Sequence, residues 1–409
     1  MPPKKTDIRP MIKISTVVNK KYIAVQMIGK GGYGIVYEVI QINSPSTSYA
    51  CKTELSSLHN NLKIEWEMMT LLKNNNSKHN IIGIETGTER NYNYIVMHLV
   101  GPTLTDLRKL TPNKKFTLYT TCVLSIQTND SLYELHKHGF IHRDVKPSNF
   151  AIGLLGSQEE ILVYILDFGI CRQIIKDGVL RKPRQKAPFR GTVAYCSPNA
   201  HNRLDIGRHD DYWSFLYMIV EFHTSDLPWE SMPKEQAKAA KETKIDELLN
   251  ECPKEFRLLK QHLSTLSYTK QPDYTKIRLL FCQLMKTNNY TTSMPLDWQV
   301  GGEYASVFVP LSKATKQRQK NGNSKQLKLD EILDIPKEIP TITEADLKLE
   351  EDPPRDQSTS KSDDTIPDNV KDKGQYDGQK TPSIMKKPTI NGKPQIPKKQ
   401  IGRKKAKKK

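Results

Sequence analysis

Phe140-Ile141-His142-Arg143-Asp144-Val145-Lys146-Pro147-Ser148-Asn149 is the stretch that decides the fold, and Asp167-Phe168-Gly169 answers it downstream. Within the first run a carboxylate, an ammonium and a carboxamide stand at fixed offsets in one loop. A second carboxylate follows 23 positions after Asp144, behind the apolar run 161–166, which reads as a strand. Together these groups outline a phosphoryl-transfer site. Asp144 would orient an attacking hydroxyl and accept its proton, and Lys146 would neutralise the moving phosphoryl group. Asn149 and Asp167 would give oxygens to magnesium. His-Arg-Asp alone recurs by chance; the whole run with its partner does not.

Upstream, Tyr22-Ile23-Ala24-Val25-Gln26-Met27-Ile28 and Ile35-Val36-Tyr37-Glu38-Val39-Ile40 read as strands from their β-branched and aromatic content. Between them stands Gly29-Lys30-Gly31-Gly32-Tyr33-Gly34, a GxGxxG run inside a hairpin. A dinucleotide fingerprint runs strand, glycines, helix, so this order favours a flap whose backbone amides cover ATP phosphates. Tyr49-Ala50-Cys51-Lys52 ends a third strand with one lysine in apolar company. The bland account of Lys52 is an edge-strand solubiliser. A helical stretch from about Asn61 to Lys73 offers another, a carboxylate that would hold Lys52 on the α- and β-phosphates. Glu65 and Glu67 both compete for that place, with Glu65 favoured.

Residues 81–87 and 93–99 complete a five-stranded antiparallel sheet, after which Val100-Gly101-Pro102 breaks regular structure as a hinge would. Leu104 to Lys109 and Phe116 to about Lys137 read as helices from apolar residues returning every three or four positions. From Cys171 to Arg190 the chain is basic and irregular, a long loop of the kind that shapes a substrate site. Its run Arg181-Lys182-Pro183-Arg184-Gln185-Lys186 would either attract acidic substrates or simply be solvated. Arg208 opens an apolar helix reaching about Phe222, in which a buried Asp211 would support the backbone of the catalytic loop. Residues 234–286 read as helical, closing the lobe near Trp298.

The 409 residues carry 63 Lys/Arg against 45 Asp/Glu, a net charge of +18 that points to an anionic partner without choosing one. Six scattered cysteines lack metal or disulfide spacing and read as free thiols in a reducing compartment. No run reaches the roughly 18 apolar residues of a membrane span. The expectation is a soluble, intracellular protein, cytoplasmic and, should the basic end direct import, also nuclear. Beyond residue 300 aromatics almost vanish: residues 331–370 hold 12 acidic and four basic residues, and residues 391–409 hold nine basic and none acidic. Residues 301–409 therefore read as a disordered tail, acidic in the middle and basic at the end. The basic end would serve nuclear import or an anionic partner, or merely solubilise.

From Gly29 to about Trp298 the constellation resembles the eukaryotic protein kinases. Its details look most like the casein kinase I group and, within it, the tau-tubulin kinase branch. Ser197-Pro198-Asn199 stands where most kinases have Ala-Pro-Glu, and Gly207-Arg208-His209-Asp210-Asp211-Tyr212-Trp213-Ser214 is similar to that branch, as is Tyr94-Ile95-Val96-Met97 before the hinge. The resemblance implies a monomeric, α+β, bilobal fold: a small five-stranded antiparallel β lobe with one helix (about 21–98), a hinge (98–102) and a large, mainly helical lobe (103–300); residues 1–20, outside it, read as a basic leader with room for one short strand. It implies a serine/threonine kinase using ATP and Mg2+ on Ser/Thr hydroxyls of protein substrates. Ile28, Gly29, Lys30, Gly31, Gly32, Gly34, Val36 and Ala50 would line the nucleotide site with Met97, His98, Leu99 and Asp167. Lys52, Glu65, Asp144, Lys146 and Asn149 would carry the chemistry, and Asn149 and Asp167 the metal. The alternative is a pseudokinase scaffold binding partners through the lobe surface and tail. One departure matters: relatives in that group commonly have Gly-Thr-x-Arg-Tyr, and here Gly191-Thr192-Val193-Ala194-Tyr195 lacks the anion-binding arginine.

Overall fold

Across the glycine run, strands Tyr22–Gly31 and Gly34–Gln41 pair antiparallel with Gly31 opposite Gly34. The computed structural model describes residues 12–31, 34–56, 61–309 and 327–348, so Gly32 lies outside them. With Val17–Val18 as β1, these two strands are β2 and β3. Ser44–Leu55 (β4), Gly83–Glu89 (β5) and Tyr92–His98 (β6) complete a six-stranded sheet in the order β1-β2-β3-β4-β6-β5. The sixth, two-residue strand comes from the leader. Ile12 and Val18 are buried in the small lobe's core, and the Ile12 amide donates to the Tyr37 hydroxyl at 2.9 Å. The leader expected over 1–20 is thus part of the lobe from residue 12, because those two apolar side chains join Tyr37, Val39, Cys51 and Val96 on the sheet face opposite Val36, Ala50 and Met97.

Helix Asn61–Asn74 (α1) buries Leu62, Glu65, Met68, Met69 and Leu72 along one stripe. Their three- and four-residue spacing puts one carboxylate on an otherwise apolar face. Below the hinge come Leu104–Leu110 (α2) and Leu118–Lys137 (α3), the large lobe's central helix. Thr117 caps α3, and Asp297 accepts from the Thr117 amide, the Thr117 hydroxyl and the Thr120 hydroxyl, tying the lobe's end to its middle. After the one-turn helix Pro198–His201 (α4), Arg208–Thr224 (α5) and Tyr274–Thr287 (α8) pack on α3. The expected helical stretch 234–286 is three helices: Lys234–Asn250 (α6), Lys254–Ser264 (α7) and α8. Pro233 and Pro253 precede the first two, where a residue without an N–H opens a helix readily. Among the described residues no helix is long and apolar enough to cross a membrane, and all six cysteines are free.

The expectation of disorder from residue 301 needs correction where the chain is described. Residues 327–348 run back over the large lobe and bury Leu329, Ile332, Leu333, Ile342 and Leu347 in its core. Gln283 accepts from the Ile342 amide at 2.8 Å, and His262 Nδ1 lies 2.9 Å from the Leu347 carbonyl. Residues 301–309 are described too, with Phe308 buried in the same core, whereas 310–326 and 349–409, including the basic end, lie outside the described residues.

Candidate active site

Between the lobes opens a cleft of about 470 Å³, lined by the glycine hairpin, β4, the hinge and the loops around Asn149 and Asp167. Its apolar wall is made of Ile28, Val36, Ala50, Met69, Ile81, Met97, Leu99, Ala151, Leu154 and Ile165. Of the other residues expected there, Gly29, Gly31, Gly34, His98 and Asp167 line it. Lys30 is exposed and does not. Gly34 is demanded by close approach, since a Cβ there would stand 2.3 Å from the Thr53 carbonyl oxygen.

At the rear of the cleft Lys52 joins both lobes. Its Nζ lies 2.5 Å from Glu65 Oε2 and 2.8 Å from Asp167 Oδ1. Glu67, the competing partner, is exposed on the far side of α1. Burial works against the Lys52 charge, but Asp167 and then Glu65 outweigh it and hold the ammonium above the usual lysine range. Burial pushes the Glu65 carboxyl up despite that partner. Burial also opposes ionisation of Asp167, yet Lys52 keeps its carboxyl below the usual range. Asp167 adopts the left-handed conformation, φ 62° and ψ 67°, which turns its carboxylate toward Lys52.

On the floor, Asp144 is gripped at both oxygens. The Thr192 hydroxyl donates to Oδ1 at 2.7 Å, while Lys146 Nζ lies 2.6 Å from Oδ2 and donates to Thr192 Oγ1 at 2.9 Å. Asn149 Nδ2 donates to the Asp144 carbonyl at 2.8 Å and to its Oδ2 at 3.3 Å. Both donors of that amide therefore serve Asp144, leaving Asn149 Oδ1 as an acceptor. The loop is held from beneath. Asp211 takes the His142 amide at 2.7 Å and the Arg143 amide at 2.8 Å, and His136 Nε2 lies 2.9 Å from the same carboxylate. Burial alone would raise Asp211, but the His136 hydrogen bond and charge hold it below the usual range; burial draws His136 down.

These residues fit magnesium with nucleotide phosphates. Among the described residues no group of three or more His, Cys, Asp or Glu could hold a metal. Asp167 and Asn149 offer two oxygens beside the cleft, and magnesium usually completes such a set with phosphate oxygens and water.

Three contributions escaped the sequence. Thr192 reaches Asp144 from 48 residues away, a closeness no local pattern announces. Asp106 lines the cleft as the third residue of a helix capped by Thr103, a Thr-x-x-Asp signal that was open to view. Gly191, at φ +94°, lets the next loop pass the catalytic one, because a Cβ there would meet the Arg143 carbonyl oxygen at 2.6 Å. Ala194 is buried and its carbonyl accepts from Trp229 Nε1 at 2.9 Å.

A protein kinase domain signature matches residues 22–289. A probable serine/threonine-protein kinase of Dictyostelium discoideum is 33% identical over 288 residues, 70% of this chain and 58% of that protein. Serine/threonine-protein kinase spe-6 of Caenorhabditis elegans is 32% identical over 289 residues, 68% of this chain and 76% of that protein. The match thus spans less than two thirds of the Dictyostelium protein. With the bilobal fold and the Lys52–Glu65–Asp167 cluster already in place, the chain belongs to the protein kinase family, and its domain is that of a protein serine/threonine kinase.

Proposed function

We propose that the chain is an active kinase of the casein kinase I kind, nearest the tau-tubulin kinase branch, moving the γ-phosphate of ATP to Ser or Thr hydroxyls of proteins. One observation carries this: Lys52 touches both Glu65 and Asp167 while Asp144 keeps Lys146, Thr192 and Asn149 around its carboxylate. Kinases need the lysine–glutamate pair and the metal-binding aspartate in place together. Asp144 accepts the substrate hydroxyl's proton, and Lys146 offsets charge on the group in transit. Lys52 holds the α- and β-phosphates, oriented by Glu65. Magnesium, when held by Asp167 and Asn149, supplies neutralisation of the triphosphate.

The finer placement rests on the same residues. Asn199 donates to Asp210 Oδ1 at 3.0 Å, so the Ser197-Pro198-Asn199 variant has its own anchor. With Ala194 buried, an anion site at that position does not transfer from the relatives of that group. Arg181, Lys182 and Lys186 are exposed and remain available to acidic substrates, whereas Arg184 and Arg172 are both bound to Asp205.

The test uses the full chain with magnesium-ATP and dephosphorylated casein. Phosphate incorporation well above an Asp144→Asn control is expected; incorporation equal to that control overturns the proposal. A scaffold without nucleotide binding would show no thermal shift with magnesium-ATP. A peptide array then reports whether acidic flanks are preferred.

A further inference from the structure

The loop that follows the basic segment is held by a lysine the phosphoryl-transfer chemistry does not use. Lys241 on α6 is 3% exposed, and its Nζ donates to the Val193 carbonyl at 2.7 Å and the Cys196 carbonyl at 2.6 Å. It also lies 3.3 Å from His201 Nε2 and 4.7 Å from the centroid of the Tyr217 ring. An ammonium has three donors, and this arrangement occupies all of them. Among the described residues no carboxylate pairs with it. A buried, unpaired ammonium is costly, so its place is set by the carbonyls it holds rather than by a counter-charge.

Those carbonyls belong to the turn that follows Thr192 beside Asp144. Thr192, next to Val193, carries the hydroxyl that bonds Asp144 Oδ1. The Tyr195 and Cys196 amides both turn back onto the Thr192 carbonyl, at 3.0 and 2.9 Å. Trp229 fixes the Ala194 carbonyl, and the Tyr195 hydroxyl donates to Glu221 at 2.8 Å. Every residue from 192 to 196 thus has a partner, and Lys241 supplies two of the five. Helix α6 meets this region a second time, with Lys234 Nζ 4.6 Å from the centroid of the Phe189 ring.

We infer that Lys241 is a positioning residue for protein substrates: it sets the 193–196 turn, and through Thr192 the approach of the hydroxyl to Asp144, without touching nucleotide. The inference rests on the kinase reading above for its kinetic arm alone.

The test replaces Lys241 in the full chain by Met, which keeps the aliphatic stem and removes the donors. Hydrogen exchange is read first, because it needs no activity. Amides of 193–197 should exchange about tenfold faster, while those around Lys52, Glu65 and Asp167 stay unchanged. Steady-state kinetics with casein should then show the casein KM rising about tenfold with the ATP KM and the magnesium-ATP thermal shift unaltered. Unchanged exchange over 193–197, or equal changes in both KM values, overturns the inference. Should Lys241→Met unfold, Lys241→Gln retains amide donors and is judged by the same two readouts, with a smaller effect expected. A wild-type chain that transfers no phosphate counts against the kinase reading and with it the substrate role, while the exchange result still decides whether Lys241 sets the 193–196 turn.

Discussion

Lys52 is flanked by carboxylates of unlike exposure: the Glu65 side chain is 6% exposed and that of Asp167 29%. Replacing Lys52 by Met removes the charge both depend on. Glu65, already pushed up by burial, then takes a proton rather than stay ionised and unpaired. The fold should survive while kcat/KM for phosphate transfer falls about 10²–10⁴-fold, as steady-state kinetics beside circular dichroism would show. Glu54 offers a test by pH. Burial pushes its carboxyl up to about 7, although it accepts from the Leu62 amide. A raised carboxyl binds its proton more tightly folded than unfolded, so its contribution is present below the usual carboxylate range and is lost as pH rises toward 7. Glu54→Gln keeps the acceptor and removes the titration. The melting temperature of wild type relative to this variant should therefore fall between pH 4.5 and 7; a constant difference would refute the assignment. At this scale the sequence was most legible where motif spacing brings residues together, as with Asp144 and Asn149, which bond each other, and Asp167, which meets Lys52. Thr192 was not legible, because its contact with Asp144 exists only after two distant loops have folded together.

Elements were readable in proportion to how local their causes are. The glycine hairpin declared itself, since GxGxxG between two strand-like runs leaves little else to build. The segment 327–348 did not, because composition averaged over the whole region hid a short amphipathic face. Leu329, Ile332 and Leu333 stand three and four apart, which is one turn of helix seeking a surface, and helix Leu329–Leu333 finds it on α3. The same segment reaches the other lobe's edge, where Lys78 Nζ donates to the Glu331 carbonyl at 3.4 Å. Leu333 is fully buried, so Leu333→Ala should cost about 2–4 kcal/mol of stability by lost burial and the cavity left behind. Urea unfolding would measure it; a change below about 0.5 kcal/mol would mean the segment is a surface decoration. The leader behaves alike on a smaller scale: Ile12 and Val18 complete a core that their basic neighbours in sequence concealed.

Across the molecule, charge and fold separate. Residues 349–409 hold 16 basic and nine acidic residues, a net +7 of the chain's +18, concentrated in 61 residues. The family match ends at residue 289, the described core contacts end at Leu347, and the chain divides into compact units between Glu351 and Asp352. Every side chain placed at the cleft lies within the first unit. A chain ending at residue 348 should therefore keep the full chain's melting temperature and its casein kinetics within about twofold. Its binding to a polyanion such as heparin should weaken, with a shallower dependence on salt, because fewer basic residues displace counterions. Ending the chain at residue 309 should instead lower the melting temperature, since the segment from Leu329 to Leu347 leaves the large lobe's core. The comparison of the two truncations separates the roles of the two parts. Equal loss of stability in both would show that residues 349–409 support the fold, and loss of casein turnover in the longer one alone would place their charge in substrate capture.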